Sequence, residues 1–276
     1  MFSLKPDPEI RVQTMQIASG GRKLSMLVLS PKTETIHAPG ILWIHGGGYI
    51  YGMKEMVHMS MAVDLVKKYG AVVVSPGYRL AFLAPYPAAL DDCYAALLYM
   101  KEHAAELGIR EDQLMVGGES AGGGLCAALC VKARDTGTVN VAFQMPLYPM
   151  LDDRDNHGRV WNTRKNHFAW YWYLRSVDRE HCPVYAAPAR LKDFHGLPPA
   201  YTFVGDGEPF YAETVRYIEA LKACGIPADM DVYPTDMHAF DMMKPQESLS
   251  IEAAARFNEV FAYAKENYFA PQAQNR

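Results

Sequence analysis

Short apolar runs alternate along this chain with longer segments in which apolar residues recur at helical spacing. The short runs are typical of buried strands, and the longer segments are typical of helices. The predicted strands are residues 10–18, 23–29, 41–44, 71–75, 114–117, 142–146, 200–204 and 229–233. The predicted helices are residues 59–69, 88–107, 122–134, 211–224 and 251–267. This alternation predicts an α/β fold in which helices flank a mostly parallel sheet.

One segment breaks this pattern. Between the sixth and seventh predicted strands, residues 151–197 become charged and aromatic, with Trp161, Phe168, Trp170, Tyr171, Trp172 and Tyr173. One interpretation is a small cap whose aromatic face lines a substrate pocket. The other is a helix whose aromatic side chains only pack against the rest of the protein. Both interpretations stay open, and we predict one domain over residues 1–276 with this cap inserted in it.

A sharp turn from strand to helix is predicted at Gly118-Glu119-Ser120-Ala121-Gly122, which reads G-x-S-x-G. Glycines on either side of a serine allow a strained turn, because they have no Cβ to clash. The serine hydroxyl then projects above the amides of a helix N-terminus, which favour developing negative charge. This arrangement is a nucleophile elbow, so Ser120 is the candidate nucleophile. Small residues also cluster in ordinary turns, and the motif therefore needs support from elsewhere in the chain.

A glycine-rich loop is predicted directly after the strand at residues 41–44. Its sequence is His45-Gly46-Gly47-Gly48-Tyr49. The amides of Gly47 and Gly48, together with that of Ala121, are the predicted donors of an oxyanion hole, and Gly46 is an alternative to one of the two glycines. Gly46 and Tyr49 are also predicted to contact the substrate. A flexible turn is the alternative, whereas a phosphate loop lacks its lysine here.

A general base and an acid are predicted on loops near the C-terminus. His238 follows the strand at residues 229–233, and the order serine, acid, histidine along the chain favours it as the base. Two carboxylates, Asp206 and Glu208, follow the strand at residues 200–204. Either could orient the histidine and stabilise its cation. The residues alone do not decide between the two acids.

The chain resembles the hormone-sensitive-lipase family of carboxylesterases within the α/β-hydrolase superfamily. The stretches that carry the resemblance are residues 45–48, 78–81, 85–92, 116–123, 208–209 and 238–240. The resemblance implies an α/β-hydrolase fold, with a mostly parallel eight-stranded sheet and a cap after the sixth strand. In the family an Asp-Pro pair usually carries the acid. The matching pair here is Glu208-Pro209, 30 residues before His238, which favours Glu208 as the acid.

Some residues of this chain differ in type from those usual in the family, and others match family positions that have a structural role. The family often has Asp where Glu119 stands and Asn where Gly124 stands. Glu119 is expected to orient loops by hydrogen bonding. Arg79 and Asp92 match structural positions of the family, where a buried ion pair would hold loops in place. The predicted strands at residues 10–29 leave space for only a small N-terminal cap or none.

The composition limits which binding partners and which cellular compartment are expected for this protein. Of the 276 residues, 50% are hydrophobic and 21% are charged, and the net charge is −4, which argues against nucleic acid as a partner. We expect no membrane span and no signal peptide, because no apolar run is long enough and the first residues lack an apolar centre. The five scattered cysteines indicate reduced thiols of a cytoplasmic protein.

The sequence therefore predicts a serine carboxylesterase acting on small-molecule, short-chain acyl esters. Ser120, His238 and Glu208 would form its triad, and a covalent acyl-enzyme would be its intermediate. The predicted chemistry needs neither a cofactor nor a metal ion. A sugar deacetylase, an amidase or an arylformamidase on the same scaffold remains an alternative, as does a non-catalytic ligand-binding protein. A homodimer is implied by the resemblance alone.

Overall fold

The computed structural model describes residues 6–33, 35–154 and 160–273, without the side chains of residues 160–163. Its strands are β1 (Ile10–Ser19), β2 (Arg22–Pro31), β3 (Ala38–Ile44), β4 (Val72–Pro76), β5 (Ile109–Glu119), β6 (Phe143–Leu147), β7 (Ala200–Gly205) and β8 (Ala228–Tyr233). All eight join in one sheet, in the order β1-β2-β4-β3-β5-β6-β7-β8. The pairs β1–β2 and β2–β4 are antiparallel and the others are parallel. The predicted mostly parallel sheet of eight strands is confirmed.

The helices are α1 (Ala62–Tyr69), α2 (Ala88–Glu102), α3 (Ala104–Leu107), α4 (Ala121–Thr136), α5 (Val160–Leu174), α6 (Tyr211–Ala223), α7 (Phe240–Met243) and α8 (Ser248–Asn267). Two 3-10 helices span Lys54–Met59 and Pro188–Arg190. The single helix predicted at residues 88–107 is interrupted, because His103 leaves the helical conformation at φ −114° and ψ 26°. The start predicted at residue 59 is likewise wrong, since a 3-10 helix ends at Met59 and α1 begins only at Ala62.

Helices cover both faces of the sheet. One buried cluster contains the apolar side chains of α2, α4 and α6, and a second contains those of α1 and α8. The strands β3, β4, β6 and β7 are wholly buried, which explains why they are mostly apolar. In β5 the second half is wholly buried. All five cysteines are free thiols, and Cys224 alone among them is not fully buried. Among the described residues no helix is long and apolar enough to cross a bilayer.

The predicted ion pair between Arg79 and Asp92 is present. Nε and Nη2 of Arg79 donate to the two carboxylate oxygens of Asp92 at 2.8 and 2.9 Å. The hydroxyl of Ser19 at the end of β1 donates to the same carboxylate at 2.5 Å. Asp92 is buried on α2, so this bidentate pair ties α2 and the β1–β2 hairpin to the loop after β4.

The segment between β6 and β7 contains α5 and the 3-10 helix Pro188–Arg190. The buried carboxylate of Asp153 holds this segment together, because Arg190 binds both of its oxygens at 2.6 and 2.9 Å and Arg179 donates to its carbonyl at 2.6 Å. Of the aromatic residues predicted here, Trp170 and Tyr173 are buried, whereas Phe168 and Tyr171 are exposed. The side chain of Trp161 lies outside the described residues, as do residues 1–5, on which the signal-peptide argument partly rested.

Candidate active site

Ser120 lies at a sharp turn between β5, which ends at Glu119, and α4, which begins at Ala121. Its backbone has φ +56° and ψ −117°, a conformation that a residue with a Cβ adopts at a cost of about 1–3 kcal/mol. Three backbone hydrogen bonds hold it there: its amide donates to Leu147, and its carbonyl accepts from Gly124 and Met150, at 2.9 to 3.0 Å. The turn therefore has the strained geometry that the G-x-S-x-G motif predicts.

The two glycines of the motif are required by close packing. A Cβ on Gly118 would lie 2.5 Å from the carbonyl oxygen of Ile44, and a Cβ on Gly122 would lie 2.0 Å from the same atom. The end of β3 therefore presses directly against the elbow. Any larger residue at either position would push apart the strand that leads to the glycine loop and the turn that carries Ser120.

His238 lies next to Ser120, although 118 residues separate them in the chain. Its Nε2 is 2.8 Å from Oγ of Ser120, and its Nδ1 is hydrogen-bonded to Oε2 of Glu208. A carboxylate can only accept, so Nδ1 carries the proton and Nε2 is free to accept one from the serine hydroxyl. The three groups come from the carboxyl ends of β5, β7 and β8, which meet at one edge of the sheet.

Glu208, and not Asp206, is the carboxylate that contacts His238. The side chain of Glu208 is 1% exposed, whereas Asp206 lies at the surface two residues earlier. Burial raises the pKa of Glu208, and the neighbouring His238 lowers it. The buried carboxylate of Glu208 would therefore stabilise the imidazole when it takes up a proton during a reaction.

Two aromatic rings that the sequence did not single out flank His238. Tyr148 and Phe210 present their rings nearly perpendicular to the imidazole, with centroids 5.1 and 5.0 Å away. Tyr148 directly follows β6, and Phe210 lies two residues after Glu208. Both positions are at the carboxyl edge of the sheet, but nothing in the sequence around either residue connects its ring with His238. The two rings restrict the imidazole to the plane that reaches both Ser120 and Glu208.

The glycine loop lies against the elbow. A Cβ on Gly46 would lie 2.9 Å from the carbonyl oxygen of Glu119 and 3.3 Å from Cβ of Ser120. Gly47 and Gly48 have φ of +117° and +58°, which glycine adopts without strain. Among the hydrogen bonds of the described residues, none is donated by the amides of Gly47, Gly48 or Ala121. These amides are therefore available to a ligand beside Ser120.

Tyr49 is buried in the protein core. Its side chain is 1% exposed, its ring stacks on Tyr173 at a centroid distance of 3.9 Å, and its hydroxyl donates to the carbonyl of Met150 at 3.1 Å. The hydroxyl occupies the space beside Gly124, where a Cβ would lie only 2.5 Å away. Tyr49 therefore offers a ligand almost no surface, and the substrate contact predicted from the sequence stays a prediction.

His45 packs beneath the glycine loop, on Tyr78, and its side chain is neutral. Burial lowers its pKa to about 4. Its Nδ1 lies 2.8 Å from the carbonyl oxygen of Gly46, and its ring stacks on Tyr78 at 4.1 Å. The hydroxyl of Tyr78 donates to the carbonyl of His45 at 3.0 Å. These contacts fix the direction in which the chain enters the three glycines.

Glu119 accepts a hydrogen bond from Nε1 of Trp43 at 2.7 Å, which ties the end of β5 to β3. Burial, with a smaller contribution from the nearby carboxylate of Asp241, raises the pKa of Glu119 to about 8. Asp241 is also buried, and burial raises its pKa to about 6. The observed hydrogen bond of Glu119 therefore joins two strands, and its orientation of loops stays a prediction. The bond is made by a carboxyl group that is protonated at neutral pH.

We expect Glu119→Gln to flatten the dependence of stability on pH. The native protein keeps a proton on Glu119 up to about pH 8, whereas the unfolded chain releases it near the ordinary value of 4.5. This group therefore lowers the free energy of unfolding progressively as pH rises between these two values, and the loss levels off above them. Urea denaturation of wild type and variant across this range measures the difference.

The matched control for this experiment is Glu219→Gln, which changes an exposed carboxyl group on α6. The difference in free energy of unfolding between wild type and Glu119→Gln should change with pH, and the difference for the control should not. Parallel profiles for wild type and Glu119→Gln would mean that Glu119 is ionised in the native protein at neutral pH.

One group of metal-ligating side chains exists among the described residues, away from Ser120. Ligand atoms of Asp193, His195 and Cys224 lie within 4.8 Å of one another. Arg134 donates to the carbonyls of Asp193 and His195, so the group lies beside the far end of α4. At 1.5 Å per helical residue this is about 20 Å from Ser120. A guanidinium beside exposed ligands disfavours a cation, and the prediction that catalysis needs no metal stays a prediction.

Known proteins resemble this chain in both sequence and structure. The sequence model of the alpha/beta hydrolase fold matches residues 41–242. Esterase LipI of Mycobacterium tuberculosis is 30% identical over 245 residues, which are 84% of this chain and 76% of that protein. Carboxylesterase NlhH of the same organism is 31% identical over the same shares.

Solved structures resemble the whole fold. The bacterial heroin esterase superposes with a TM-score of 0.87 and 31% identity, covering 96% of this chain and 86% of that one. Esterase LipW from Mycobacterium marinum superposes with a TM-score of 0.85 and 28% identity, covering 92% and 82% of the two chains. The residues matched by the family model, 41–242, include Ser120, Glu208 and His238.

Proposed function

Since the chain belongs to the hormone-sensitive-lipase-like family of the α/β-hydrolase superfamily and is a hydrolase of the carboxylic-ester type, we propose that it cleaves short-chain acyl esters with Ser120 as its nucleophile. The single observation that carries this proposal is the continuous hydrogen-bonded series from Ser120 through His238 to Glu208. The base is hydrogen-bonded to both the nucleophile and the orienting acid, as an activated serine requires.

In the proposed first step, Oγ of Ser120 attacks the carbonyl carbon of the ester while its proton passes to Nε2 of His238. The tetrahedral intermediate then collapses, and the leaving alcohol takes the proton from Nε2. The acyl group stays on Ser120 as an ester. Water next attacks the carbonyl carbon of this acyl-enzyme and gives a proton to Nε2 of His238. The carboxylic acid is then released, and Oγ of Ser120 takes the proton back.

Glu208 and the glycine loop would stabilise the charges that develop in these steps. The buried carboxylate of Glu208 favours the imidazolium form of His238 and keeps its tautomer. The unused amides of Gly47, Gly48 and Ala121 are proposed to bind the oxyanion, with Gly46 as the alternative to one of the two glycines. Loss of one such donor typically costs about a hundredfold in rate or more.

The preference for short chains rests on the packing of α5 over the glycine loop. A Cβ at Gly48 would lie 3.2 Å from the Cβ of Ala169 on α5, and Trp170 and Tyr173 fill the space around Tyr49. We propose that residues 151–197 form a cap within one domain, and that this packing limits acyl length. The cytoplasmic location and the homodimer inferred from the sequence stay predictions.

Hydrolysis of p-nitrophenyl esters from acetate to palmitate tests the proposal. We expect kcat/KM to be highest for the shortest acyl groups and about tenfold lower or more for palmitate, since a filled pocket rejects added methylenes. An acetylated sugar, an aryl formamide and a simple amide, assayed in parallel, address the alternatives. Faster turnover of any of these three, or no turnover of esters, would contradict a short-chain carboxylesterase.

A further inference from the structure

An exposed cluster of apolar side chains lies beside the glycine loop. We call it the aromatic patch; it consists of Phe82, Leu83, Phe168, Tyr171 and Trp172. Four of these side chains are 44%, 81%, 49% and 60% exposed, in that order, and Trp172 is half-buried. The ring of Phe82 contacts those of Trp172 and Phe168 at centroid distances of 4.8 and 6.0 Å. A contiguous exposed cluster of this kind marks an interaction surface.

The aromatic patch is firmly attached to the loop that would form the oxyanion hole. Arg175 joins its two segments: it donates to the carbonyls of Ala81 and Trp172, and its guanidinium lies over the Trp172 ring at 5.0 Å. The amide of Ala81 donates to the carbonyl of Tyr49 at 2.7 Å. The patch is therefore attached to the loop after β3, which lies at the same edge of the sheet as Ser120.

The charge around the aromatic patch is positive in a protein whose net charge is −4. The exposed cations Arg164, Lys165 and Arg175 lie on or directly after α5, and residues 160–177 contain no Asp or Glu. Within the described part of the chain, none of these three cations has a carboxylate partner. Exposed aromatic rings flanked by unneutralised cations are complementary to a surface with an apolar interior and a negatively charged outer layer.

We propose that the aromatic patch, with these three cations, docks the protein onto the surface of an anionic phospholipid bilayer. The aromatic and leucine side chains would enter the boundary between headgroups and acyl chains, and the cations would bind the anionic headgroups. The docking itself is independent of the proposed function. Its consequence, that the substrates are apolar esters partitioned into the bilayer surface, rests on that function.

A second copy of the chain fits the aromatic patch less well. A two-fold dimer through this patch would bring equivalent surfaces together, so that Arg164, Lys165 and Arg175 of one chain would face the same cations of the other. Like charges across an interface repel, and no acidic residue within residues 160–177 would relieve the repulsion. A bilayer rich in phosphatidylglycerol supplies the missing negative charge.

Co-sedimentation with sucrose-loaded vesicles tests the proposal. The wild-type protein should bind vesicles of equal parts phosphatidylcholine and phosphatidylglycerol, should bind phosphatidylcholine alone weakly, and should lose binding as salt is raised. Tyr171→Ser should reduce the partition coefficient by about fivefold or more. Tyr263→Ser is its matched control, because Tyr263 is equally exposed, at 59%, but lies on α8.

A charge reversal provides the second comparison. Lys165→Glu should reduce binding to the anionic vesicles, whereas Lys222→Glu, an exposed lysine on α6, should reduce it much less. Unfolding midpoints close to that of the wild type would show that the variants are folded. Ser120→Ala protein should bind vesicles as the wild type does, so a failure of the docking and a failure of the proposed catalysis are told apart.

Three results would overturn the docking proposal. They are equal binding to neutral and anionic vesicles, equal effects of Tyr171→Ser and Tyr263→Ser, and no vesicle binding at all. If the wild type forms a dimer that Tyr171→Ser dissociates, and vesicles are not bound, the patch is an interface between copies. If Tyr171→Ser leaves vesicle binding unchanged and only raises the KM for longer esters, the patch belongs to the substrate pocket.

Discussion

Replacing Ser120 by alanine is expected to lower kcat/KM for p-nitrophenyl acetate by a factor on the order of 10⁵ to 10⁶. The variant keeps the glycine loop, His238 and Glu208, but it has no oxygen 2.8 Å from Nε2 to attack the ester. Single-turnover and steady-state assays of purified protein measure the loss. The release of p-nitrophenol in an initial burst, expected of the wild type if deacylation is slow, should disappear.

The alanine variant should fold as the wild type does, because alanine and serine both carry a Cβ and bear the same strain at φ +56°. An unchanged unfolding midpoint is the control for this. Turnover that persists in a folded Ser120→Ala protein would show that another group attacks the ester, and the proposed nucleophile would be wrong.

Replacing Glu208 by glutamine is expected to lower kcat by about 10³- to 10⁴-fold. A neutral amide no longer stabilises the imidazolium, and its NH₂ group can face Nδ1 and turn the imidazole to the wrong tautomer. The matched change, Asp206→Asn, removes a carboxylate two residues away on the same loop. It should change kcat by about twofold or less, since exposed substitutions away from the reacting groups have small effects.

The comparison of these two variants decides which acid serves His238. The assay is kcat with p-nitrophenyl acetate, in a pH range where the wild type is fully active. A large loss in Asp206→Asn with a small loss in Glu208→Gln would transfer the role to Asp206. Large losses in both would indicate that the loop after β7, rather than one carboxylate, is what each substitution disturbs.

The elbow and the glycine loop could be predicted from sequence because their chemistry is local. Glycines on either side of Ser120 and after β3 determine their own backbone geometry, and the predicted strands positioned them correctly. Glu208 and Asp206 could not be separated by local reasoning, since both follow the same strand and the path of the turn decides which carboxylate points inward. The spacing implied by the family resemblance favoured Glu208, and His238 contacts that residue.

Contacts that depend on convergence of distant strands were not predictable. Tyr148 and Phe210 reach His238 only because β6, β7 and β8 end side by side. The aromatic residues of α5 present a different difficulty: Trp170 and Tyr173 face the core, but Phe168, Tyr171 and Trp172 repeat at helical spacing on the exposed side. Periodicity therefore indicates two apolar faces and cannot tell which of them is buried.

The contact between Tyr49 and Gly124 limits which side chains position 124 can accept. The tyrosine hydroxyl occupies the space in which a side chain at position 124 would begin, and the family often has asparagine there. Asparagine at position 124 of this chain would meet both this hydroxyl and the carbonyl of Met150. Positions 49 and 124 are therefore sterically coupled, because any side chain at 124 would require both the Tyr49 ring and the Met150 carbonyl to move.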